Sequence, residues 1–192
     1  SSASPNILSG AGANTTTNGV RGASISGGGA TAGSDADFPG AGPNLVNDHY
    51  GHIGGGASNR VGNENADAGD ATFATIAGGR RNIAAGQYSF VGGGVDNSAT
   101  GYISAIAGGD SNRAADSFSF VGGGRKNFAS GLTSVVAGGE SNTAAGVFSG
   151  VFTGENNFAA GRHAGVLSGE TNNASGDNSV VVGGSGNNAN GA

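Results

Sequence analysis

The groups able to do chemistry are few, and spacing rules most of them out. His49-Tyr50-Gly51-His52 sets two imidazoles close together, and His163 is the third. The pair is no zinc motif on its own, and the chain has no cysteine to complete one. Carboxylates alternate in Ser34-Asp35-Ala36-Asp37 and again across Glu64, Asp67 and Asp70. Such acids hold Ca²⁺ when six to eight oxygens converge, but neither stretch has an EF-hand or Gly-rich nonapeptide pattern. Both read as solvated inserted loops, and Asp35 and Asp37 count as a possible binding surface because inserted loops often carry binding. Gly-Gly-Gly at 27–29, 54–56, 92–94 and 122–124 would suit a phosphate loop only if a helix and a Lys followed, and none does. Turns or close chain approach explain these glycines instead. Serines recur at 89, 104, 119, 134, 149 and 179 with no His or Asp column beside them. No nucleophile, base and orienting group come together, so no catalytic residue, metal ligand set or cofactor is assigned.

What organises these residues is a repeat. Asn82, Asn97, Asn112, Asn127, Asn142, Asn157, Asn172 and Asn187 follow one another at intervals of 15 residues. Ala stands two residues after each, Val or Ile nine after, and Gly twelve after, as in Ala99, Ile106 and Gly109. Four after comes Gly except at Asp116, and seven after comes Ser except at Ala164. A fixed short period marks a repeat architecture. Within the phrase the step is two, which is strand geometry. Two short strands and their turns make one coil, and stacked coils make a β-solenoid. A helix is excluded, because no 3.6-residue apolar period exists and each Gly would cost roughly 1 kcal/mol. The Asn column reads as a ladder of amides that hydrogen-bond from coil to coil.

The second strand of the phrase is apolar on both faces. Position nine points inward. Positions eight and ten point outward and hold Phe90, Phe120, Val135 and Val180, then Phe152, Leu167 and Val182. A strand apolar on both faces is usually buried on both, which predicts a partner chain over the outer face. Tyr88, Phe118 and Phe148 recur at position six. They form either an adhesive patch or a seam between neighbouring chains. Ice binding would need repeated rows of Thr, and the variable pairs before each Asn, such as Arg80-Arg81 and Glu140-Ser141, share nothing.

The phrase Gly94, Asn97, Ala99, Gly101, Ser104, Ile106 resembles the head repeat of the trimeric autotransporter adhesins, the YadA-like head. That family repeats G-x-x-A-x-A-x-G-x-x-S-x-A-I over about 14 residues. The departures here are one extra residue per coil and Asn in place of the first Ala. The resemblance covers most of the chain. It implies a left-handed parallel β-roll, intertwined as a homotrimer, on a bacterial surface or in a secreted fibre. It also implies an axis row of His52, Phe90, Phe120, Val135, Phe152, Leu167, Val180 and Val182. In a trimer, three copies of His52 would approach that axis.

Composition agrees with a repeat and with little else. Of 192 residues, 42 are Gly and 11% are charged, with no Cys, Met or Trp, so an ordinary globular core is out of reach. The formal net charge of −5 argues against nucleic acid and anionic membrane surfaces. No apolar run approaches a membrane-spanning length, which predicts no membrane contact by this segment. The chain reads as a segment or processed form of a longer one. Residues 1–43 read as irregular capping coils with an inserted loop, and residues 44–192 as regular coils with a second loop at about 64–71. Ten or eleven coils at about 4.8 Å each predict a rod about 50 Å long. Two function classes follow: an adhesin-like head that presents its surface to an unknown surface or matrix receptor, and a passive module of a secreted fibre, filament or phage-tail-like appendage.

Overall fold

The computed structural model describes residues 4–31, 33, 36–37, 39–65 and 67–191. Among them there is no helix. The chain is an all-β parallel solenoid of two eleven-stranded sheets, whose strands alternate along the sequence. One sheet runs from Ile7–Leu8 and Ser24–Ile25 through His52–Ile53 and Phe90–Val91 to Val180–Val181. The other runs from Thr15–Thr16 and Leu45–Val46 through Ser98–Ala99 to Asn188–Ala189. Each strand is only two residues long, so stability comes from stacking many coils and not from any one strand.

Strand pairing is regular. Ser98 pairs with Arg113 and Ala99 with Ala114, while Phe120 pairs with Val135 and Val121 with Val136. A third row of single bridges links Arg80, Val95, Asp110, Arg125 and Glu140 in succession along a corner. The interior is one side chain thick. Ile53, Ile76, Val91, Ile106, Val121, Val136, Val151 and Val166 are fully buried against Ala84, Ala99, Ala114, Ala129 and Ala144 of the opposite sheet. In the later coils a branched residue faces a methyl group, whereas in the early coils Val46 and Val61 take the Ala place and are also fully buried.

The corners adopt an unexpected backbone. Non-glycine residues with positive φ stand at position six (Tyr88, Ile103, Phe118, Thr133, Phe148) and just before each Asn (Arg81, Asp96, Ser111, Lys126). This region is unfavourable for any residue with a Cβ and most of all for branched ones. The reward is a hydrogen bond to the preceding coil: Ile103 N–H donates to Gln87 C=O, and Asp96 N–H to Arg80 C=O. The corners therefore bind the stack as the strands do.

The opening residues enter the same two sheets. Thr15–Thr16, expected as part of a capping region, pairs in parallel with Leu45–Val46. Ile7–Leu8 pairs with Ser24–Ile25. The first inserted loop is closed at its base by Ala30 N–H to Gly42 C=O.

Candidate functional site

The Asn column is buried, apart from Asn187 in the last turn. Each amide makes the same set of bonds. Asn127 Nδ2 donates to Gly123 C=O and Gly139 C=O, both at 2.8 Å. Its Oδ1 accepts the backbone N–H of Asn142 at 3.0 Å. The side chain thus satisfies one turn carbonyl and one N–H that the tight corner leaves unpaired, and adds a second donor to Gly139 C=O, which also accepts Arg125 N–H. Direct amide-to-amide bonds also occur, as from Asn97 Nδ2 to Asn82 Oδ1 at 3.2 Å. Asn14, Asn44 and Asn59 belong to the same ladder, since Asn44 N–H donates to Asn14 Oδ1 and Asn59 N–H to Asn44 Oδ1. The phase of Asn44 and Asn59 is visible in the sequence, and Asn14 opens its coil 11 residues before Ile25 in place of nine.

The glycines next to this ladder are steric necessities. Gly124 has φ +84°, and a Cβ there would run into Gly139 C=O and the Asn127 amide. No anion site is needed to account for it.

The row at positions eight and ten lies on the outside of its sheet. Phe90, Phe120, Val135, Phe152, Leu167, Val180 and Val182 are 37% to 69% exposed. His52 is half-buried and stands in the same row, between Ser24 and Thr75. Gly150 and Gly165 interrupt the row and leave a shallow groove of about 370 Å³, lined by Thr133, Val135, Phe148 and Phe152. The groove brings together Phe148 from the position-six row and Val135 and Phe152 from the outer row.

The rings at position six stack along one corner. Tyr50 lies on Phe73 with centroids 5.0 Å apart, and Phe73 lies on Tyr88 at 5.3 Å. Tyr88 then meets Tyr102 edge-on, and Tyr102 meets Phe118. Further along, Phe148 stacks on His163. Tyr88, Phe118 and Phe148 therefore share a corner but do not touch one another. Tyr50, Phe73 and Tyr102 extend the comb. Phe73 escapes a strict reading of the period because it follows the second loop.

The remaining candidates are dispersed. Asp37 is exposed in the first inserted loop, and Asp35 lies outside the described residues. His49 faces Arg21, whose backbone N–H donates to His49 Nδ1 at 3.2 Å. Among the described residues no group of three His, Cys, Asp or Glu could hold a metal ion, and no helix is long and apolar enough to cross a membrane. The variable pairs before each Asn do have an order. Arg81 binds Asp96 on the next coil through two bonds of 2.6 Å, and Arg125 pairs with Glu140. The hydrogen bonds from Arg81 hold the Asp96 carboxyl below its ordinary value. Opposite charges one repeat apart are the sequence signal for these bridges. No protein-family model and no curated protein matches the chain.

Proposed function

We propose that this chain is a non-enzymatic, adhesin-like head or fibre segment of a cell-surface or secreted protein. In this reading left-handed coils of 15 residues from three copies pack their outer apolar rows around a common axis. The reading rests on the exposed row of Phe90, Phe120, Val135, Phe152, Leu167, Val180 and Val182. Large apolar side chains repeated along a whole face mark an interaction site on a soluble surface. The comb of rings and the inserted loops then stay at the periphery, available to a surface or matrix receptor.

The first test is the mass in solution by light scattering on a size-exclusion column. A discrete species of three times 18.1 kDa supports the head. A monomer overturns the axis and leaves the apolar row as a binding face of a single solenoid. Spontaneous fibres favour the second reading, a passive structural module, for which the uninterrupted Asn ladder is the supporting observation.

A further inference from the structure

Each coil presents two outward positions on its apolar face, eight and ten, and they are filled unequally. Phe90 stands with Gly92, Phe120 with Gly122 and Val135 with Ala137. The order then reverses: Gly150 stands with Phe152 and Gly165 with Leu167. Ala105 with Ala107 is small in both places, and Val180 with Val182 is intermediate in both. The bulk of the face thus crosses from column eight to column ten between Val135 and Phe152.

The glycines of the two columns have different causes. A Cβ on Gly92 or Gly122 would run into the carbonyl of Ala107 or Ala137 on the next coil, so the coil itself demands them. Gly150 and Gly165 meet no such demand. They lie in regular parallel strands, Val135 pairing with Gly150 and Gly150 with Gly165, and neither has a left-handed backbone. A Cβ on Gly150 would come no closer than 3.8 Å to Val135 C=O, and one on Gly165 no closer than 4.0 Å to the adjacent coils. Glycine inside a strand weakens it, and where no bulge or bend requires it, it marks the close approach of another group. The chain's own packing gives no reason for this gap. The groove of about 370 Å³ opens here, and Phe152, the most exposed ring of the row at 61%, stands at its edge.

We propose that a second copy of the chain, parallel and in register, fills the gap: Phe152 and Leu167 of one copy seat over Gly150 and Gly165 of the next. The inference rests on the reading that copies of this chain cover the outer row, and adds which way they run and which residues meet. Rotation about an axis along the rod keeps every coil at its own height. It brings column eight of one copy to column ten of the next, whether two or three copies close the ring. Phe90 and Phe120 then meet Gly92 and Gly122, and lower down the knobs and holes exchange columns. Large against small fills such an interface at native density, and only the Ala105 layer stays thin. The charges at the edges agree. Arg162 and His163 stand at the corner that leads into this sheet, and Glu155 and Glu170 in the row of bridges that follows it. Parallel copies bring the leading corner of one to the trailing corner of the next, basic toward acidic. Copies turned end for end would set column eight against column eight and like corner against like corner.

The test is the assembled mass of Gly150→Val by light scattering over a dilution series, beside the native chain. Circular dichroism should be unchanged, because a single chain has room for the side chain. Association should weaken by roughly tenfold or more, because the added bulk meets Phe152 of the next copy. Gly150→Val with Phe152→Ala rebuilds the native combination of Val135 with Ala137 and should recover the native mass. Gly150→Val that assembles like the native chain, or a double variant that stays dissociated, overturns the proposal. Recovery by Gly150→Val with Val135→Ala instead would mean end-for-end pairing and also overturns it. A second measurement adds no bulk. The chain has no cysteine, so Ala105→Cys and Ala107→Cys chains can be co-expressed and mildly oxidised. They should join to each other in preference to themselves, and joining without that preference refutes the register. A native chain that is monomeric throughout removes the assembly, and the function proposed above falls with it. An assembled native chain that fails these tests refutes the pairing alone.

Discussion

A residue of this solenoid is repeated many times, so a single substitution probes a general rule. Asn127→Ala removes one amide and strands two backbone groups, Gly123 C=O and Asn142 N–H, while Gly139 C=O keeps the Arg125 N–H. Buried and unpaired, these should lower stability by about 2–3 kcal/mol, read as a fall in the denaturation midpoint. The serine column is expected to behave unevenly. Ser104 Oγ is buried without a partner, whereas Ser119 Oγ donates to Asp116 C=O at 2.6 Å. Ser104→Ala should therefore leave stability unchanged or raise it by up to about 1 kcal/mol, and Ser119→Ala should cost about 1 kcal/mol. Ala164 already occupies this column in the native chain and is buried like the serines.

At the scale of the element, each strand is short and each corner is tight, so the corners set the limits. Gly124→Ala should destabilise by more than about 1–2 kcal/mol, because it adds a Cβ clash to the cost of a left-handed backbone. Thr171 has φ +55° and is exposed. Thr171→Asn should stabilise by about 0.5–1 kcal/mol, since Asn tolerates this region and a branched residue does not. Thermal unfolding of the two variants beside the native chain tests both. These corners also show where sequence reading stops. The parallel strands were legible because Val or Ile recurs at a fixed distance from Asn and the step within the phrase is two. The positive φ of Ile103 or Lys126 was not, because neither residue type is a turn signal. The conformation is imposed by the carbonyl of the coil before, which is a contact between distant residues. Asn14 was legible as the Asn of the opening coil from its place 11 residues before Ile25, but its bond to Asn44, 30 residues away across the first inserted loop, was not.

For the whole molecule the outer apolar row is the face on which the proposed assembly is tested. Phe120 is exposed on that face and makes no contribution to the coil interior, which Val121 fills. Phe120→Asp should therefore leave the secondary structure intact while reducing the assembled mass to that of one chain, as circular dichroism and light scattering together would show. Retained assembly would mean that copies associate elsewhere. That the row is apolar could be read from positions eight and ten. The groove formed where Gly150 and Gly165 interrupt it could not, because it depends on Phe148 leaning in from the neighbouring corner.

The comb of rings has an optical consequence. The chain has no tryptophan and three tyrosines. Those tyrosines, Tyr50, Tyr88 and Tyr102, all lie in the one stack that runs from Tyr50 to Phe118. Absorption, emission and circular dichroism near 280 nm therefore originate from a single corner of the rod. The protein carries its own local chromophore, and a neighbour that covers this corner would change that signal without any added label.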